Sequence, residues 1–145
     1  MSFTLSRQLK DCQKADAVIV FEFVKDLGVE VLSLPSSEES LKINLESLAP
    51  YRVSYEALKN QEGKSQIVIS LSTIVVDLAQ RKRLLAYALT EGLKVAKEKS
   101  LKILAVNIDD NLLDEYRELD VIEVATKAIK TFIKKSDLNV TLCIE

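Results

Sequence analysis

Apolar residues recur along this chain with two different periods, and the periods divide it into strands and helices. Residues 16–23 read Asp-Ala-Val-Ile-Val-Phe-Glu-Phe, rich in β-branched and aromatic side chains, which predicts a strand. Gly28 marks a turn, and alternation over residues 29–34 predicts a second strand ended by Pro35 and Ser36. Ser36 with Glu39 forms a capping box, and Leu41, Leu45 and Leu48 follow at helical spacing until Ala49 and Pro50 stop the helix. The stretch 51–63 fits neither period. Residues 66–71 predict a further strand, with an extension through Val76 left open.

The second half is more regular. Asp77 with Gln80 caps a long helix over residues 78–100, whose inner face carries Leu78, Leu85, Leu89, Leu93 and Ala96. The nearly continuous apolar run 101–108 predicts a strand in the middle of a sheet covered on both faces. A short helix over 112–119 follows. Asp120 with Glu123 then opens the clearest helix, residues 121–135. Its apolar stripe is Val121, Val124, Ala125, Ala128, Ile129, Phe132 and Ile133, with Lys127, Lys130, Lys134 and Lys135 outside it. Residues 138–144 form the last strand. Strand, helix, strand, helix, strand with short connections predicts an α/β fold. Its form is a three-layer α/β/α sandwich with a mixed, mostly parallel central sheet. No repeat, low-complexity tract or linker interrupts the chain, which predicts one domain over residues 1–145.

Composition narrows the function classes. Apolar residues make up 48% of the 145 positions, enough for an independent core. The 20 basic and 22 acidic residues give a net charge of −2, which argues against a dedicated nucleic-acid binder and against an acidic membrane surface as partner. No apolar run reaches the roughly 20 residues that cross a bilayer. Residues 1–14 lack the apolar stretch of a signal peptide, so the expected location is cytoplasmic. The two cysteines, Cys12 and Cys143, are expected to be reduced thiols, with Cys143 inside the apolar last strand.

The order of elements resembles a macro domain. The helix 78–100, the strand 101–108, the helix 121–135 and the closing strand are similar to that family's C-terminal half. The run from Lys14 to Val20, Lys-Ala-Asp-Ala-Val-Ile-Val, is similar to its first core strand. The same run also resembles the N-terminal domain of M17 leucine aminopeptidases. The metal-binding residues of those enzymes lie in a separate domain, so the resemblance implies no peptidase activity. The macro resemblance implies an ADP-ribose-like nucleotide as ligand and gives Asp16 an adenine contact. The family's ligand motifs, however, are replaced. Phe21-Glu22-Phe23-Val24 stands where the family has Asn-Ala-Ala-Asn, a lone Gly28 stands for its glycine run, and Asp109-Asp110-Asn111 stands for its late glycine loop. Backbone N–H groups close around a phosphate where glycine permits close approach and positive φ. Three glycines in the whole chain do not build such loops.

Candidate chemistry is sparse. Histidine is absent, and no phosphate-loop, dinucleotide or nucleophile-elbow motif occurs. Neither a catalytic residue nor a metal or cofactor site is expected. Asp109, Asp110 and Asn111 follow a central strand, where open α/β sheets hold ligands, and their oxygens suit Mg²⁺. The same residue types suit a helix N-terminus, the reading favoured here. Ser72 and Thr73 end another core strand, within reach of a ligand hydroxyl or phosphate, but without glycines or a nearby base the turn is the reading favoured here. Arg81, Lys82 and Arg83, with Lys94, Lys97 and Lys99, offer a basic helical face for RNA, interrupted by Glu91 and Glu98. Phe21, Phe23, Tyr51 and Tyr55 are candidates for partner contacts or for the core.

The expected function is therefore a non-catalytic macro-like module that acts through a protein partner or as a homo-oligomer. A divergent ADP-ribose-binding domain or hydrolase and an RNA-binding module are the alternatives.

Overall fold

The computed structural model describes residues 2–7, 13–24, 51–57, 64–73 and 77–144. In these, β1 (Ser2–Ser6), β2 (Ala17–Val24), β3 (Tyr51–Ala57) and β4 (Ser65–Ser72) precede α1 (Leu78–Glu98). There follow β5 (Ile103–Ile108), α2 (Asp110–Glu115), α3 (Val121–Ile133) and β6 (Asn139–Ile144). The predicted strand at 29–34 and the helix begun by Ser36 lie outside the described residues.

The strands form one mixed sheet in the order β1-β6-β5-β2-β4-β3. Every pairing is parallel except that of β3 with β4. The unassigned stretch after Pro50 is thus an antiparallel edge strand, Tyr51 pairing with Leu71 and Tyr55 with Ile67. Its outward residues are polar because only one side faces the core.

α1 lies over β3 and β4, α3 lies against β1 and β6, and the two helices pack on each other over one face of the sheet. Each begins as the sequence predicts: Asp77 accepts from the Gln80 amide at 3.0 Å and Asp120 from the Glu123 amide at 3.0 Å. α1 ends in a Schellman turn, with Leu101 N–H on the Ala96 carbonyl and Ser100 N–H on Lys97. Ser100 holds the left-handed position, φ 57°, that glycine usually fills.

The core face of α1 is Leu84, Leu85, Ala88, Leu89, Gly92, Leu93 and Ala96. Leu78, expected inside, is 44% exposed at the first turn of the helix. Gly92 permits close contact: a Cβ there would stand 2.9 Å from Ile69 Cδ1 and 3.5 Å from Ile19 Cδ1. On the opposite face of the sheet Ala15, Ala105 and Cys143 are buried, so β5 and β6 are covered on both sides. Cys143 is disulfide-bonded and no described cysteine is free, which corrects the expectation of two reduced thiols. The chain's other cysteine, Cys12, lies outside the described residues. No helix among the described residues is long and apolar enough to cross a membrane.

Candidate functional site

Parallel strands carry their C-terminal ends to one edge of the sheet, and ligands of open α/β folds gather there. In this chain the edge holds Val24, Ser72 and Ile108, the ends of β2, β4 and β5. Thr73 donates its backbone N–H to the Val24 carbonyl at 3.0 Å, which ties the two strand ends together. Asp109, Asp110 and Asn111 stand at the same edge. Asp16 does not join them. It precedes β2 and so lies at the opposite edge, about 25 Å away for an eight-residue strand. Its carboxylate accepts from the Ile103 amide at 3.3 Å and its carbonyl from Ser65 N–H at 3.1 Å, so it binds three strand starts together.

The described polar groups of the C-terminal edge are largely engaged in holding the fold. Asp109 Oδ1 accepts from the Leu112 amide at 2.9 Å and caps α2. Ser70, one turn of the pleat inside the edge, donates to Glu22 Oε1 at 2.5 Å. No group of three or more metal-ligating side chains occurs among the described residues. Replacing Asp109 by alanine is expected to cost about 1 kcal/mol, the usual worth of an N-cap, in chemical denaturation. Addition of Mg²⁺ is expected to leave the melting temperature unchanged; a rise that Asp110→Ala abolishes would contradict this reading.

Arg81 belongs to this edge rather than to the outer face of α1. Its guanidinium lies 5.2 Å over the Tyr116 ring, Nη1 donates to the Glu115 carbonyl at 3.0 Å, and Nη2 is 3.6 Å from Glu115 Oε1. Tyr116 meets Phe23 edge to face at 5.5 Å. Its side chain is 2% exposed and its hydroxyl has no hydrogen-bond partner among the described residues. Burial pushes its pKa up to about 12, against the pull of Arg81 and with a further push from Glu115. An aromatic and cationic plug therefore fills the space between the end of β2 and α2.

A different surface gathers the remaining basic residues. A groove of about 1480 Å³ runs between the outer sides of α1 and α3. Six basic side chains line it, Lys82, Arg83, Lys94, Lys97, Lys127 and Lys135, against two acidic ones, Glu91 and Glu98. Half-buried Ala86, Ala128 and Phe132 form its floor, with Ala79 exposed at one end. Lys94 pairs with Glu91 at 3.1 Å and Lys127 with Glu123 at 3.6 Å. Lys82, Lys97 and Lys135 have no carboxylate partner among the described residues.

Solved structures with this topology are numerous. The macrodomain of Thermus aquaticus DarG is 9% identical with a TM-score of 0.56, covering 99% of this chain and 97% of that one. The macrodomain of Mycobacterium tuberculosis DarG is 13% identical with a TM-score of 0.55, covering 97% of this chain and 96% of that one. The fold is macro domain-like. An alphavirus protein, P23pro-zbd, aligns at 19% identity and a TM-score of 0.59 over 98% of this chain. The chain spans about a fifth of that protein's length, 21%. Tomato leucine aminopeptidase aligns more weakly, 11% identical with a TM-score of 0.49 over 32% of its length. No protein-family model matches the sequence, and no curated protein does.

Within this macro domain-like frame the sequence located the edge residues and the basic α1 side of the groove, but not its α3 side. Phe132 and Ala128, expected inside the apolar stripe of α3, are half-buried and form part of the groove wall. On α1, positions 79, 83, 86, 90, 94 and 97 form a second stripe at helical spacing beside the core stripe. That spacing was the available signal. Of the aromatic contact candidates, Phe21 is buried, Phe23 packs on Tyr116 and Tyr51 on Tyr87. Tyr55 is exposed, with Lys99 Nζ 4.9 Å over its ring.

Proposed function

We propose that the chain is a single macro domain-like module that is non-catalytic and acts by contact with another protein. The observation that supports this is the groove between α1 and α3. It carries a basic lining in a chain of net charge −2, over a floor of small and apolar side chains. Such a surface attracts a partner by charge and holds it by apolar burial. At the C-terminal edge of the sheet, Asp109 and Arg81 are committed to the fold. Gly92 is the sole glycine among the described residues and is buried in α1, so the described part of that edge has no glycine with which to cradle a phosphate.

RNA binding through the same cations is the second reading. Against it stands the engagement of Tyr87 in the groove with Tyr51 at 5.6 Å, which takes that ring from stacking on bases. Self-association through the groove is disfavoured because a two-fold contact would oppose like charges. Calorimetric titration with ADP-ribose, with and without Mg²⁺, tests the proposal. No heat is expected; micromolar binding would overturn it in favour of a nucleotide module.

A further inference from the structure

Resting on the reading of the module as protein-binding, we infer that the α1–α3 groove receives an acidic amphipathic α-helix of a partner protein. Three properties of the groove select that occupant.

Its shape comes first. At about 1480 Å³ the groove exceeds the roughly 300–1,000 Å³ of small-molecule pockets, and it follows α1 from Ala79 to Glu98. That is close to the length of the 21-residue helix itself, about 30 Å at the usual rise per residue. An elongated trough between two helices, with alanines set back between longer side chains, accepts a third helix by ridge-in-groove packing. The floor supplies apolar surface at Ala86, Ala128 and Phe132 for anchors spaced by three and four residues.

Charge comes second. Six cations within one groove repel one another, and three of them, Lys82, Lys97 and Lys135, have no carboxylate partner among the described residues. Carboxylates on the flanks of an incoming helix relieve that repulsion. The positions fit such flanks: Lys82 and Lys97 project from α1, and Lys127 and Lys135 from α3, so cations border the floor on both sides.

The aromatic residues come third and separate a protein from a single-stranded nucleic acid. Binding of unstructured RNA relies on aromatic faces free to stack on bases. Neither aromatic in this groove offers a whole ring face for stacking: Tyr87 meets Tyr51 edge to face at 5.6 Å, and Phe132, half-buried against the core, leaves only part of its side chain at the floor.

The test uses a synthetic helical peptide of about 18 residues, five turns, with leucine and alanine at helical spacing and glutamate elsewhere. A shuffled peptide of the same composition removes the apolar stripe and keeps the charge. A uridine oligonucleotide is the third probe, and all are read by fluorescence anisotropy at low and high salt. The patterned peptide is expected to bind at least about ten-fold more tightly than the shuffled one, a difference that reports the apolar anchors. Ala128→Glu is expected to weaken it about ten-fold or more by filling and charging the floor, and Lys82→Glu with Lys97→Glu to weaken it similarly and flatten its salt dependence. All three positions are partly or fully exposed, so melting temperatures should hold.

Equal binding of both peptides, tighter binding of the oligonucleotide, indifference to the groove substitutions, or no binding at all would each overturn the inference. Failure of the peptide with no heat from ADP-ribose rejects this occupant and leaves the protein-contact reading standing. Heat from ADP-ribose rejects that reading itself.

Discussion

Replacing Gly92 by leucine is expected to lower stability by about 3 kcal/mol, the upper end of overpacking costs. The glycine sits in the middle of α1, where its type is otherwise unfavourable by about 1 kcal/mol relative to alanine. Its place is explained by the sheet beneath. A Cβ at Gly92 would stand 2.9 Å from Ile69 Cδ1 and 3.5 Å from Ile19 Cδ1, and both isoleucines are fully buried. A leucine adds three more carbons where no space remains, so α1 must lift from β4 and β2. Gly92→Ala is a milder case. The Cδ1 end of Ile69 must yield slightly, while the helix gains propensity, and the net change is expected to stay within about 1 kcal/mol. Urea denaturation of the two variants decides the matter; a leucine variant as stable as the parent would show that α1 does not bear on the sheet as described.

Above pH 10 the protein is expected to lose about 3 kcal/mol through Tyr116 alone, two pKa units at about 1.4 kcal/mol each. The folded-state pKa is raised from 10.0 to about 12, chiefly by burial. A phenol whose folded pKa lies above its unfolded value contributes full stability below the unfolded pKa. That contribution is lost as pH rises from about 10 through about 12. Other groups titrate in the same range, so the informative quantity is the difference between the parent and Tyr116→Phe. At neutral pH the phenylalanine variant is expected to be about 1 kcal/mol more stable, because it removes a buried hydroxyl that has no partner among the described residues. Between pH 10 and 12 its advantage should widen by the lost alkaline contribution. Parallel pH profiles would contradict the assignment.

The sheet and its helices were legible where one physical signal dominated. Asp77 and Asp120 mark helix starts because an acceptor at the N-cap meets an otherwise unpaired amide, and both caps form. The apolar run around Leu104–Ile108 marks a strand covered on both sides, and β5 lies inside the sheet between β6 and β2. Tyr51–Ala57 was not legible, because an edge strand buries one side only and its polar residues obscure the period. Asp16 shows a different limit. Periodicity identifies a strand but says little of which end meets a ligand, and only the parallel order sends Asp16 to one edge and Ser72 to the other. Arg81 shows a third. Its neighbours Lys82 and Arg83 line the outer groove, yet one step of the helix turns Arg81 toward Tyr116 and Glu115. The α1 side of the groove was legible as a basic helical face, but the α3 side was not, because Ala128 and Phe132 also fit the apolar core stripe. The disulfide at Cys143 was missed because an apolar setting is equally common for a thiol.

The central claim is that this macro domain-like scaffold works through its helical groove and not through the C-terminal edge of its sheet. Amide chemical shifts of the labelled protein, recorded during separate additions of the acidic amphipathic peptide and of ADP-ribose, test it most directly. The account predicts peptide-induced shifts confined to the groove-facing residues of α1 and α3, from Lys82 to Lys97 and from Lys127 to Lys135. It predicts no response to ADP-ribose at Ser72, Thr73 or Asp109 to Asn111. Shifts at those edge residues on adding ADP-ribose, with a silent groove on adding peptide, would contradict it.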